Sequence, residues 1–292
     1  MTDMMHHLSD LRQSANYVKY LESQGWIVER IDNINYFFKK IPLGTVLKVQ
    51  RPGKIDFETI QKLEKKYKVF QTVIEPNLTS VVNSFSDIHN LLSSNGYKLS
   101  KDIYLPSKTI HLDITRPLKF KKETRRAIRK GSQFKIKEYS TPKEIEIFYK
   151  AWKKSVTFMR YVPNLESLVN LKKSFPNNTS IFLASHNKIG NIIGGVIFTR
   201  SSHDIDSKAD GIGYYWYGFT NNEGRTSLSQ YFLLYQGILW AKKQNCKVFD
   251  FEGIYDSRFP IKSWLGFTHF KKQFGGKEIL FPGCYTHFRF PF

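Results

Sequence analysis

The sequence predicts an α+β protein with mixed sheets, divided into a truncated first domain, residues 1–106, and a complete second domain, residues 107–292. Strand-like and helix-like runs alternate along the whole chain, so neither an all-helical nor an all-strand class fits. The order of runs in the first domain repeats the later half of the order in the second. A composition of 41% hydrophobic and 15% aromatic residues suffices to bury a core.

The first domain opens with a helix over about Ser9–Ser23, with Ser9 as N-cap and Gly25 just past its end. Strand-like runs follow at Trp26–Ile31, Asn35–Ile41 and Thr45–Gln50. Asp56 caps a helix reaching Tyr67, and Val69–Ile74 reads as a buried strand. Ser86–Ser94 is a short helix stopped by Asn95-Gly96, and Tyr97–Leu105 returns as a strand.

The second domain begins with the alternating run Thr109–Ile114, then a basic helix from Pro117 to Lys130. Proline suits a first turn, where its missing N–H is not needed, and Gly131 suits a left-handed stop. A strand at Phe134–Tyr139 precedes a helix from Pro142 to about Phe158, capped by Thr141, and another over Leu165–Ser174. Strands Ser180–Ser185, Ile192–Arg200 and Gly213–Phe219 lead to a long helix, Arg225–Gln244, whose Leu228, Phe232, Leu233, Tyr235 and Leu239 mark one broad apolar face. Val248–Phe251 is a short buried strand. Phe270–Phe274 and Lys277–Phe281 read as a hairpin turning at Gly275-Gly276.

Composition narrows the function. Lysine and arginine number 45 against 25 aspartates and glutamates, a formal net charge of +20. Such a field gathers polyanions: RNA, DNA, anionic lipid headgroups or a nucleotide-linked substrate. Cys246 and Cys284 are too few for a disulfide framework and lack metal-type spacing, so they are expected in or near the core. The histidines are scattered and form no HExxH pair, and no metal or cofactor is expected. No run reaches the roughly 20 apolar residues of a membrane-spanning helix, and Met1–Asp10 is polar rather than signal-like. The expected location is the cytoplasm.

Strand, two helices, three strands, long helix, strand and hairpin follow one another as in the GNAT acyltransferases, and the reading is of tandem GNAT-like domains. An enzyme of that architecture using acetyl-CoA would carry a Gln/Arg-x-x-Gly-x-Gly/Ala turn, whose N–H groups hold pyrophosphate at the start of the long helix. Here the turn reads Asn221-Asn222-Glu223-Gly224-Arg225-Thr226. It has one glycine, and Glu223 would face the phosphates, so coenzyme A is not the expected donor. Arg225 is left to help bind some other anion.

Four segments stand in order along the second domain. Thr109-Ile110-His111-Leu112-Asp113-Ile114-Thr115 is followed by Thr124-Arg125-Arg126-Ala127-Ile128-Arg129-Lys130. Tyr215-Trp216-Tyr217-Gly218 comes next, then Trp240-Ala241 with Phe249-Asp250-Phe251-Glu252-Gly253, and finally Phe270-Lys271-x-x-Phe274-Gly275. With these segments the chain resembles the Fem family, the aminoacyl-tRNA-dependent transferases that extend the peptidoglycan side peptide.

The resemblance implies peptide-bond formation between an aminoacyl-tRNA and a side-peptide amine of a peptidoglycan precursor, lipid II or UDP-MurNAc-pentapeptide. It further implies work at, or peripheral to, the inner face of the membrane. Lys271 is then the cation that steadies the carbonyl oxygen as it turns anionic, with Phe270 beside it near the tRNA acceptor end. Tyr215 and Tyr217, two apart on a strand and so expected on one face, are implied to touch the precursor. Arg160, near Pro163, sits where the family has a precursor-binding Arg-Pro element, at a different spacing. The first domain is shorter than in full-length relatives, and the helical arm of some members is missing.

Other assignments come from the residues themselves. Asp250 and Glu252 alternate at the C-terminal end of a buried strand, where open sheets bind ligands, and either could orient or deprotonate an incoming ammonium. Lys122, Arg125, Arg126 and Arg129 give the basic helix paired cations one turn apart, suited to RNA or diphosphate. Each assignment has a structural alternative: Lys271 as a solvated strand lysine, the tyrosines as core, the carboxylates as partners of Arg258, Lys262 or backbone amides, the basic helix as a solvated face. Two other functions stay open. One keeps the fold with a different acyl donor, such as acyl-CoA. The other is a non-catalytic RNA-binding module, which would account for the charge alone.

Overall fold

The computed structural model describes residues 10–77, 85–156, 160–176, 178–201 and 211–289. Asp10 caps a single 3-10 turn at Leu11–Gln13, and Ser14 accepts from the Tyr17 N–H to start α1 (Ala15–Ser23). The helix thus begins later than expected, and Ser9 lies outside the described residues. β1 (Ile27–Ile31), β2 (Ile34–Ile41) and β3 (Gly44–Gln50) follow. α2 (Phe57–Tyr67) starts where Asp56 accepts from the Thr59 N–H, and it leads to β4 (Val69–Glu75). α3 (Phe85–Ser94) ends at Asn95-Gly96, with Gly96 at φ +84°. The strand expected over Tyr97–Leu105 shrinks to β5 (Lys98–Leu99), because the Tyr104 and Leu105 N–H groups donate to the Glu75 carboxylate and not to a strand.

β6 (Lys108–Asp113) opens the second half. The basic helix is α4 (Lys122–Gly131), shorter at its start than expected. Phe120 precedes it and packs edge-on against Tyr235 and Phe274. Gly131 belongs to the helix and does not have a positive φ; its small size is needed because a side chain would press on Phe232. β7 (Lys135–Glu138) leads to α5 (Pro142–Ser155), where Thr141 and Glu144 form a capping box. α6 (Leu165–Ser174), β8 (Ser180–His186), β9 (Ile192–Arg200) and β10 (Gly211–Thr220) come next.

The expected long helix is two: α7 (Asn222–Thr226) and α8 (Ser229–Lys243), broken at Leu228 with φ +60°. β11 (Cys246–Asp250) is followed by α9 (Leu265–Lys272), β12 (Lys277–Leu280) and β13 (Tyr285–Phe288). Phe270 and Lys271, expected on a strand, therefore lie on a helix. Phe267, Phe270 and Phe274 recur at three and four residues, a helical period that the short window around F-K-x-x-F shares with a strand. Gly275 and Gly276, at φ +79° and +99°, join helix to strand and do not turn a hairpin.

Two mixed sheets result. The first has the order β1-β2-β3-β4-β13-β5, with β3 and β4 parallel. The second has the order β12-β6-β11-β10-β9-β8-β7, with β10 and β11 parallel. In each, an antiparallel three-strand meander feeds a parallel fourth strand, which an antiparallel strand flanks on its far side. This is the repeat that element order predicted.

The chain divides into two compact units, residues 1–109, 253–268 and 278–292, and residues 110–252 and 269–277. A single cut at 106/107 does not describe that division. The last strand, β13, pairs with β4 and β5, so the end of the chain completes the first sheet. The first unit's core gathers Tyr36, Phe38, Leu47, Ile60, Ile74 and Leu92. In the second, Phe148 and Trp152 of α5 pack on Phe182 and Phe219, while Gly237 of α8 lies against the Phe198 ring.

Candidate functional site

β10 and β11 are paired from Gly211 and Cys246 to Tyr214 and Asp250, and there the pairing stops. β10 continues to Thr220, held among the described residues by β9 alone. A bulge sits at the point of separation: Tyr215 opposes Phe198 and Tyr217 opposes Ile197, leaving Trp216 as the extra residue. Bulges bend and twist the strand that carries them. The two parallel strands consequently part at their C-terminal ends, the place where open sheets receive ligands.

Lys271 spans this opening. Its Nζ donates to the Glu252 carbonyl at 2.7 Å, just beyond β11, and lies 5.4 Å from the Tyr215 ring centroid, just beyond the paired part of β10. The side chain is only 7% exposed, so it is not a solvated lysine. Burial lowers its pKa from 10.5 to about 7, against the opposing charges of Glu252 and Asp250. Nothing in the run F-K-x-x-F announces that burial; it follows from α9 placing Lys271 across the gap.

The neighbouring groups are fixed by hydrogen bonds. Tyr215 OH accepts from Gln230 Nε2 on α8 at 2.8 Å, and burial raises the phenol to about 12, keeping it protonated. A side chain at Gly218 would overlap that hydroxyl. Asp250 Oδ1 accepts from the Glu252 N–H at 2.7 Å, and Asp250 Oδ2 meets His111 Nε2 at 3.1 Å. Glu252 does not continue the strand. It takes φ +51°, so its alternation with Asp250 is lost. Arg258, one structural partner considered for these carboxylates, pairs with Asp256. His111 and Gln230 were not foreseen. Both owe their place to long-range pairing, His111 opposite Asp250 across β6 and β11.

The other expected site residues are dispersed. Phe270 packs edge-on against Tyr231, with ring centroids 4.9 Å apart. Tyr217 does not share a face with Tyr215, because the bulge reverses the alternation. Tyr215 lies against Phe198 on the α8 side, whereas Tyr217 packs on Trp152 of α5. Arg160 is exposed between α5 and α6. Lys122, Arg125, Arg126 and Arg129 are exposed on α4, and a concavity of about 590 Å³ is lined by Arg126, Arg129, Lys130, Glu123, Ala127 and Leu228.

The turn before α8 is tied together by its own side chains and by Asn187. Arg225 is turned back onto Thr220 O and Asn222 Oδ1, and Glu223 accepts from Asn187 Nδ2. Gly224 is needed because a side chain would strike Ile193 O. Cys246 and Cys284 are buried free thiols, pushed up to about 12 by burial. Among the described residues no helix is long and apolar enough to cross a membrane.

No protein-family model matches the chain, and no curated protein sequence does. Solved structures do. FemX is similar over 97% of this chain and 93% of its own, with a TM-score of 0.77 at 16% identity. L-PGS from Bacillus licheniformis is similar over 96% and 94%, with a TM-score of 0.60 at 9% identity. A tandem GNAT protein from the clavulanic acid biosynthesis pathway covers 95% and 88%, with a TM-score of 0.57 at 10% identity. The fold is thus tandem GNAT-like, α+β with two mixed sheets, as in FemX and L-PGS.

Proposed function

We propose that this protein transfers an aminoacyl group from aminoacyl-tRNA to the side-peptide amine of a peptidoglycan precursor, lipid II or UDP-MurNAc-pentapeptide. The observation that carries the reading is Lys271, a buried amine held across the parted ends of β10 and β11 in a chain similar in fold to FemX over 97% of its length. The four segments quoted above support the same assignment, and the turned-back Arg225 argues against an acyl-CoA donor.

The chemistry requires little covalent help. An aminoacyl ester is already activated, so the enzyme chiefly aligns a neutral amine with its carbonyl carbon. As the C–N bond forms, the carbonyl electrons collect on oxygen. The Lys271 ammonium stabilises that oxyanion, which in turn favours the protonated form of the lysine. A fixed donor of this kind is worth on the order of 3 kcal/mol. The tetrahedral centre then collapses, the ester C–O bond breaks, and the ribose hydroxyl leaves with a proton. The basic face of α4 supplies phosphate contacts for RNA. The enzyme works in the cytoplasm, at the inner membrane face where the acceptor is lipid II.

Radiolabelled aminoacyl-tRNA, offered with each precursor and several tRNAs, should pass its label to the acceptor. Thiol release from acyl-CoA without such transfer would replace the donor, and RNA retention without turnover would leave a binding module.

A further inference from the structure

We infer that His111, oriented by Asp250, takes the proton from the acceptor ammonium in the transfer proposed above, on which this assignment rests. The amine of a lysine-type side peptide is an ammonium at neutral pH and cannot attack until it loses a proton. The proposed role of Lys271 gives it the opposite task, so another group must accept that proton.

The geometry points to His111. β6 and β11 pair antiparallel with His111 directly opposite Asp250, the last residue of β11 before the strands part. Their side chains meet at 3.1 Å, with exposures of 14% and 8%. The Asp250 carboxylate is anchored from behind by the Glu252 N–H, and the same residue's carbonyl receives the Lys271 ammonium. The imidazole, the carboxylate and the lysine therefore form one chain of contacts at the mouth of the gap. Asp250 fixes the proton on Nε2, which leaves Nδ1 as the basic nitrogen. Among the described residues Nδ1 makes no hydrogen bond.

The protons balance. The acceptor ammonium gives one proton to His111 Nδ1 and becomes a neutral amine. The C–N bond forms, and the nitrogen, now positively charged, loses a second proton to the departing ribose oxygen as the ester C–O bond breaks. His111 returns its proton to water. Amide, free tRNA and one released proton are the products.

Two substitutions separate a proton acceptor from a mere support for Asp250. His111→Gln keeps an N–H that can donate to Asp250 but has no basic nitrogen, and His111→Ala leaves space for added imidazole. If His111 is the base, both should lower kcat about a hundredfold while KM for UDP-MurNAc-pentapeptide moves less than about threefold. Imidazole should restore part of the turnover of the alanine variant and none of that of Lys271→Met. An acceptor whose amine is already neutral at the assay pH should lose far less in His111→Gln. Turnover of His111→Gln within threefold of wild type, or equal losses with both acceptors, would overturn the assignment and leave the proposed reaction standing. Wild-type protein that moves no aminoacyl group at all would instead remove the reaction itself.

Discussion

In the first sheet β3 and β4 run parallel and stay paired to their last residues, Gln50 and Glu75; in the second, β10 and β11 run parallel and part after Tyr214 and Asp250. The acidic residue ending the fourth strand is buried in both. Glu75 is enclosed: it accepts from Gln50 Nε2 and from the Tyr104 and Leu105 N–H groups, and the Arg51 N–H continues the ladder onto Glu75 O. Asp250 instead stands where the strands part, bonded to His111 and to the N–H of Glu252, whose carbonyl receives Lys271. One topology thus yields a sealed polar core in one copy and a candidate reaction site in the other. The difference lies in a bulge at Trp216 and in what covers the strand ends.

The sharpest way to break this comparison is Glu75→Ala. It strands buried N–H donors and should cost about 3 kcal/mol or more in a denaturant titration. Unchanged stability would mean that the first copy is not sealed as described.

The next largest effect concerns Lys271 and pH. Its pKa in the fold, about 7, lies below its ordinary 10.5. The buried charge therefore costs stability in full below pH 7. Between about pH 7 and 10.5 the unfolded chain holds the proton and the folded chain does not, so stability rises with pH. Lys271→Met should stabilise the fold by on the order of 2 kcal/mol at pH 7, with the gain fading towards pH 10.5. A pH-independent difference between the two proteins would contradict the burial.

In turnover, the same variant should lose at least tenfold, or about 1.4 kcal/mol, in the aminoacyl-transfer assay. Wild-type activity in a folded Lys271→Met protein would take the open copy out of the chemistry. The smallest effect is expected from Gly218→Ala, whose methyl group displaces the Tyr215 hydroxyl. Turnover should fall severalfold, about 1 kcal/mol, and the melting temperature should fall with it, because the displaced tyrosine is buried and hydrogen-bonded to Gln230. Unchanged turnover in a variant whose melting temperature does fall would show that the Tyr215 side of the gap serves packing alone.

The helices and strands that sequence reading placed well are those with a local cause. Leu165–Ser174, with Asn164 accepting from Ser167 N–H, and Ile192–Arg200 match their expected bounds, and the Asp56 and Thr141 caps hold. One misplaced element had a nonlocal cause: Tyr97–Leu105 lost its strand to a carboxylate at residue 75. The long helix broke at Leu228, where φ is +60°. F-K-x-x-F, compatible with either period, took the helical one.

The candidate site shows the same division. Lys271, Tyr215, Asp250 and Glu252 were legible as residues, while their arrangement was not. Tyr217 fell to the other face because one inserted residue reverses a strand's alternation, and no side-chain pattern marks which residue is inserted. His111 carried no signal of its own. It became a partner of Asp250 when strands separated by 139 positions came into register.

By itself the sequence determined the fold class, the order of nearly every element and the strongly basic charge, because hydrophobic period, caps and turns act over a few residues and composition is additive. Tertiary structure decided that the last strand completes the first sheet, that one parallel pair closes and the other opens, and that Lys271 is buried beside a histidine–aspartate pair. Those outcomes depend on register and desolvation, which exist only once distant segments have been packed together.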